Sequence, residues 1–231
     1  MAQLNMKIIE SELRKVIRHV IQETSQQVLS PQFRRWFGDS VIVDRMGNPI
    51  KLYHGSGDVF DSFKSSDYGK YGPGIYLTAV QDMASRYAMQ PRSDNYDRRP
   101  SVYIVYARLI NPLIISESDD GRLTISTLSG ELTPAHQELQ RDVEIVQGAV
   151  EHLSKASFMA RVKALGHDGI LVDVSGALAD PAVAMNMAEQ GISKEQMRMM
   201  EVVVYDPRNI KSATGNTGKF NPEDQVNINE S

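Results

Sequence analysis

Apolar residues in this chain fall into short β-branched runs separated by long stretches rich in Gly, Ser and Asp. That spacing constrains the fold more than any other feature. Ile75–Thr78, Val102–Leu109, Leu113–Ile115, Gly169–Asp173 and Glu201–Tyr205 read as strands bounded by turn residues. Between Gly55 and Gly74 the chain reads GSGDVFDSFKSSDYGKYGPG, a loop with a local anchor at Phe60 and Phe63. Helical periodicity is confined to Gln81–Met89, to 134–165 (ended by Gly166) and to the N-terminal residues. A doubly wound sheet needs a helix between successive strands, and that alternation is missing here, so the expected class is α+β.

The first 30 residues read as an amphipathic helical arm, with Ile9, Leu13, Val16, Ile17, Val20 and Ile21 at helical spacing. Ser30-Pro31 opens the next unit, where Phe33–Phe37 predicts a short helix closed by Gly38. A hairpin is predicted over Val41–Val43 and Pro49–His54, turning at Asp44–Asn48. Residues 31–220 read as one domain, with a Met-rich insertion at 175–200 and a polar tail at 221–231. The insertion carries Met185, Met187, Met197, Met199 and Met200, which suit either a small cap or an adaptable recognition surface.

Composition removes several function classes. With no cysteine there are no disulfides, thiolate nucleophiles or Cys-ligated metals. The five histidines (19, 54, 136, 152, 167) show no ligand spacing, so no metal is expected. There is neither a Gly-x-Ser-x-Gly elbow nor a phosphate loop. A net charge of −4 argues against wrapping nucleic acid. No apolar run reaches the roughly 18–20 residues of a membrane span, and no signal peptide is evident. The expectation is a cytoplasmic protein that does not engage a membrane.

Candidate chemistry sits at strand ends and in adjoining loops, where a rigid scaffold holds functional side chains. Tyr53-His54-Gly55-Ser56 ends one strand and starts the Gly-rich loop. Gly72-Pro73-Gly74-Ile75-Tyr76-Leu77-Thr78 follows, and Tyr87 lies on the helix Asp82–Ala88. Glu201 heads Val202-Val203-Val204-Tyr205-Asp206. Each alone has a plain structural explanation: a bonded histidine, a packed tyrosine, a strand-end glutamate, a turn glycine.

Together, in this order and with this Tyr76-to-Tyr87 spacing, they resemble the ADP-ribosyltransferase superfamily. The similarity is to its His–Tyr–Glu branch, which includes poly(ADP-ribose) polymerases and diphtheria-like toxins. The flanking FRRWFGDSVIVDRMGNPIKLYHGS and VVVYDPRNIKSATGNTGKF are similar to ADP-ribosyltransferase domains of phage polyvalent proteins and bacterial conflict systems.

The resemblance implies a split β-sandwich with surrounding helices and NAD as co-substrate. It implies that His54 hydrogen-bonds the adenosine ribose and that the Gly55 backbone binds the nicotinamide carboxamide. Glycine would be wanted there because a Cβ would keep the backbone off the ligand. Tyr76 and Tyr87 would flank the nicotinamide ring, and Glu201 would grip the ribose 2′-OH while stabilising oxocarbenium-like charge. Catalysis is thus assigned to Glu201, His54 and Tyr76, and NAD binding to His54, Gly55, Ser56, Tyr76, Tyr87 and Ser85. Ser56, Lys64 and Lys70 are further candidates for pyrophosphate or adenosine contacts.

Two departures stand out. The serine that commonly holds the carboxamide is replaced by Ala84, with Ser85 adjacent. Met199 occupies the position two before Glu201 where arginine-modifying enzymes carry a glutamate. The expected reaction is mono-ADP-ribosyl transfer to a macromolecule, protein favoured over RNA or DNA. The 86–99 loop (Arg86, Arg92, Arg98 and Arg99 around Tyr87 and Tyr96) keeps nucleic acid open as an acceptor. A toxin role would add a neutralising antitoxin or chaperone partner. The rival functions are an NAD glycohydrolase and an inactive binding module on the same fold.

Overall fold

The computed structural model describes residues 28, 30–67, 69–90, 99–118, 122–148 and 152–214. The expected helical arm of residues 1–30 apart from Val28 and Ser30, the expected polar tail at 221–231, and Arg92, Tyr96 and Arg98 lie outside them. Helix α1 (Pro31–Phe37) starts where the sequence predicts: Ser30 Oγ accepts the Phe33 amide at 3.1 Å, with Pro31 in the first turn. Phe33, Trp36 and Phe37 are buried, and Phe33 stacks on Phe37 and meets Tyr106 edge-on.

The strands form two sheets. In the first, β1 (Leu52–Ser56), β3 (Ser101–Ala107) and β8 (Ile210–Ser212) are antiparallel, with β3 central. In the second the order is β2 (Ile75–Leu77), β7 (Glu201–Val204), β6 (Gly169–Asp173), β4 (Leu113–Glu117) and β5 (Leu123–Ser126), and only β4–β6 is parallel. Among the described residues one bridge joins the sheets, Tyr53 with Thr78, whose amides and carbonyls exchange bonds of 2.8 and 3.0 Å. This is the α+β split sandwich expected from the sequence.

Helix α2 (Gln81–Met89) lies against β1, and α3 (Pro134–Gly148) with α4 (His152–Ala164) cover the second sheet. Alternation along β2 and β7 divides the core. Ile75, Leu77, Val202 and Val204 face the first sheet, among Leu52, Val105, Ala107, Ile210 and the α1 aromatics. Tyr76 and Val203 face the other way, with Ile170, Val172, Leu113 and Ile115, onto Leu139, Val143, Phe158 and Val162.

The predicted hairpin is corrected. Only Val43 and Pro49 form a bridge, and β1 begins at Leu52. The Asp44 amide donates to the Asn48 carbonyl at 2.9 Å and the Ile50 amide to the Ile42 carbonyl at 3.0 Å. The Ile42 amide turns to Ser40 Oγ, so the pairing goes no further and residues 52–56 find their partner in β3. The β5 and β8 strands were not anticipated; β8 is three residues long and its lysine, Lys211, is fully buried, so it lacks an alternating pattern. The Met-rich stretch folds as a 3-10 turn (Ser175–Ala179), α5 (Pro181–Glu189) and α6 (Lys194–Met197). Met197 and Met199 are buried, whereas Met185 is 65% exposed, so this cap buries only part of its own methionines.

Candidate active site

The sheet junction determines where the candidate residues sit. His54 follows Tyr53, whose bridge to Thr78 brings β1 alongside β2. Its Nδ1 lies 2.8 Å from the Tyr76 carbonyl oxygen. A carbonyl only accepts, so Nδ1 carries the proton and Nε2 presents a lone pair. Burial lowers the His54 pKa, only partly countered by that hydrogen bond, and favours this neutral form. The Phe60 and Phe63 rings stand edge-on to the imidazole at 5.6 and 5.3 Å, and Tyr103 tilts beside it at 6.4 Å. The phenylalanine anchor read from the loop is thus a wall around His54.

Tyr76 and Glu201 reach the site through the β2–β7 ladder. Tyr76 pairs with Val203, and Glu201 lies two residues before Val203, so both side chains project from one sheet face. The Tyr76 hydroxyl donates to the Gly72 carbonyl at 2.7 Å and accepts the Tyr71 amide at 2.9 Å, which fixes its ring. Gly72 has φ +100°, and a Cβ there would strike the Lys155 carbonyl, so this turn needs glycine on both counts.

Electrostatics tie the remaining groups together. Burial raises the Glu201 pKa, and the Lys70 charge acts against it. The Tyr87 phenol is raised by burial and then by Glu201, and the Tyr76 phenol by burial, Glu201 and Tyr87. Among the described residues the Glu201 carboxylate has no hydrogen-bond or ion-pair partner, while Tyr87 is 47% exposed. A largely buried carboxylate left without a partner is uncommon in a folded protein, which marks Glu201 as a candidate functional group.

The other candidates separate. Gly55 adjoins His54, but its missing Cβ is accounted for by the protein: that atom would overlap the Ala84 carbonyl of α2. Helix packing thus gives this glycine a structural reason of its own, beside the ligand approach expected from the sequence. Ser56 Oγ accepts the Asp58 amide at 3.1 Å. Ser85 Oγ donates to the Gln81 carbonyl at 3.1 Å within its own helix. Lys64 is exposed. Lys70, a candidate for pyrophosphate or adenosine contacts, lies over the Tyr71 ring at 5.1 Å and within electrostatic reach of Glu201.

Tyr71 was missed from the sequence, where it reads as one more loop residue. It is fully buried, its hydroxyl has no hydrogen-bond partner among the described residues, and burial followed by the Glu201 and Glu117 charges raises its pKa. No group of three or more potential metal ligands occurs among the described residues, and no described helix is long and apolar enough to cross a membrane.

A family model described as ADP-ribosyltransferase in polyvalent proteins matches residues 44–220, which contain every element of this site. No curated protein and no solved structure matches the chain. The family carries with it the general reaction, transfer of ADP-ribose from NAD to an acceptor. On the sandwich of two sheets, the gathered His54, Tyr76, Tyr87 and Glu201, and this match over most of its length, the chain belongs to the ADP-ribosyltransferases of polyvalent proteins.

Proposed function

We propose that this chain is a mono-ADP-ribosyltransferase acting on a protein acceptor, with Glu201, His54 and Tyr76 as its catalytic residues. The observation that carries the reading is the unpaired Glu201 carboxylate within electrostatic reach of both Tyr76 and Tyr87. NAD supplies a cationic nicotinamide already bonded to the ribose carbon that is attacked.

The protein's work is to hold and polarise. Tyr76, locked through its hydroxyl, and Tyr87, open to the cleft, flank the nicotinamide. His54 Nε2 accepts from a hydroxyl of the adenosine ribose while Nδ1 stays on the Tyr76 carbonyl. Glu201 accepts from the 2′-OH and stabilises the positive charge that grows on the ribose carbon. The ring–ribose bond breaks with its electron pair leaving on neutral nicotinamide. The acceptor oxygen or nitrogen bonds to the same carbon and gives its proton to Glu201. A raised Glu201 pKa suits that proton transfer. Deleting one preorganised group of this kind costs about 10²–10³ in rate.

The reading extends to a conflict effector whose expression arrests growth until a partner neutralises it. Its test is incubation of a lysate with labelled NAD, using wild type and Glu201→Gln, followed by separate protease and nuclease digestion. Label freed by protease from the wild-type reaction alone supports a protein acceptor. Label freed by nuclease reassigns the acceptor to RNA or DNA, and free ADP-ribose as the only product makes the enzyme a glycohydrolase. A ladder of adduct masses in place of one ADP-ribose unit would exclude single transfer.

A further inference from the structure

The segment that delivers Glu201 is laced to the strands on both sides of it. On the β6 side, the Val174 amide donates to the Met197 carbonyl at 3.0 Å, and the Met200 amide to the Val172 carbonyl at 3.2 Å. On the β2 side, the Ala79 amide donates to the Met199 carbonyl at 3.1 Å. Met197 and Met199 are buried beneath these bonds. A fourth bond comes from a side chain: Gln196 Nε2 donates to the Ala79 carbonyl at 3.1 Å. Ala79 joins β2, which carries Tyr76, to α2, which carries Tyr87.

Gln196 also completes a capping box on α6. Ser193 Oγ accepts the Gln196 amide at 3.2 Å, and Gln196 Oε1 accepts the Ser193 amide at 2.8 Å. A capping box accepts Glu or Gln equally at this position, because only the side-chain oxygen is used. The bond to Ala79 is different. It needs an N–H, which Gln has and an ionised Glu lacks. The amide therefore does two jobs with its two ends, and only one of them concerns the helix.

We propose that Gln196 is a positioning residue for Glu201, pinning the strand that carries the carboxylate to the Tyr76–Tyr87 connection. The inference rests on the catalytic reading of Glu201. Tyr76 and His54 are held by contacts that Gln196 does not touch: the Tyr71–Gly72 turn and the Tyr76 carbonyl. Loosening the Gln196 bond thus displaces Glu201 while leaving Tyr76 and His54 in place. Displacing a reacting group by about 1 Å costs on the order of 10²-fold in rate.

The test compares the full chain as wild type, Gln196→Glu, Ser193→Ala and Glu201→Gln. Nicotinamide release from NAD gives kcat and KM, thermal unfolding gives stability, and amide exchange is followed at Ala79. Gln196→Glu keeps the cap acceptor and loses the donor at neutral pH. Its kcat should fall on the order of 10- to 100-fold with KM within about twofold, and Ala79 should exchange faster. Lowering the pH from about 8 to about 5 should raise its kcat relative to wild type, since a protonated Glu regains an O–H donor. Ser193→Ala should lower the unfolding temperature and leave kcat within about twofold, because it removes only the cap oxygen. Wild-type kcat in Gln196→Glu, or an equal loss in Ser193→Ala, overturns the proposal. If wild type releases no more nicotinamide than Glu201→Gln, the catalytic reading falls. The clamp is then judged by exchange alone: faster at Ala79 in Gln196→Glu supports it, unchanged refutes it.

Discussion

Two buried histidines far from the candidate site give the sharpest pH prediction. His136 and His167 are 7% and 5% exposed, and their Nε2 atoms lie 3.0 Å apart. His167 Nδ1 is 3.0 Å from the Asn111 carbonyl, so it holds a proton there and its Nε2 accepts. His136 Nε2 must then donate, and His136 Nδ1 accepts from the Thr133 hydroxyl at 2.7 Å and amide at 3.2 Å. Every donor has an acceptor only while both rings are neutral. One added proton sets two N–H groups face to face across the 3.0 Å gap.

Burial is the main cause lowering the His167 pKa, with His136 adding to it and the Asn111 bond and Asp168 opposing. The unfolded chain therefore binds a proton near pH 6.5 that the folded chain refuses, so stability falls as pH drops below 6.5. One proton of difference gives a limiting slope of about 1.4 kcal/mol per pH unit, down to the folded pKa. His54 is depressed as well and contributes in the same sense, while Glu201, raised, acts oppositely from 4.5 upward. Those two groups cancel in a comparison with His136→Gln/His167→Gln. Asp44 and Asp206 are lowered and titrate below this window.

Urea unfolding at steps from pH 8 to 5 is the assay. Wild type should lose stability more steeply below pH 6.5 than the double variant, by up to about 1.4 kcal/mol per unit. At pH 8 the order reverses, because breaking buried hydrogen bonds costs the variant about 1–3 kcal/mol. Parallel pH profiles for the two proteins would refute the neutral-pair argument.

Glu201→Gln should abolish transfer and raise the unfolding temperature at pH 7, since it removes a buried charge, by about 2–4 °C for each kcal/mol regained. The Glu201 pKa is raised above 4.5, so this advantage should vanish as pH falls toward 4.5; a stability loss at pH 7 contradicts it. Tyr87→Ala should weaken NAD binding by about 0.5–1.5 kcal/mol in calorimetry with the fold intact, because the ring is 47% exposed; unchanged affinity would mean it does not stack there. Gly55→Ala should destabilise by about 1–3 kcal/mol as α2 is pushed from β1, and an unaltered unfolding temperature would show that the glycine serves ligand access instead.

The strands with strong local signals, β2, β3, β6 and β7, and helix α2 were legible because apolar periodicity and turn residues are written residue by residue. The order His54, Tyr76, Tyr87, Glu201 was legible for a different reason: residue types at fixed separations resemble a family even when no single one is diagnostic. Pairing is another matter. Hydrogen bonds between strands join residues remote in sequence, so neither the pairing of residues 52–56 with β3 nor the existence of β8 was determined by local pattern.

Long-range packing also decided what individual residues are for. Gly55 answers to a helix carbonyl from Ala84, Lys70 to Glu201, and Tyr71 to a core that, among the described residues, leaves its hydroxyl without a partner. The sequence alone determined the class of fold and the family, because these rest on pattern along the chain. Only the tertiary structure decided which groups come together and which way their pKa values move, because distance, burial and neighbouring charge arise once the sheets have closed on each other.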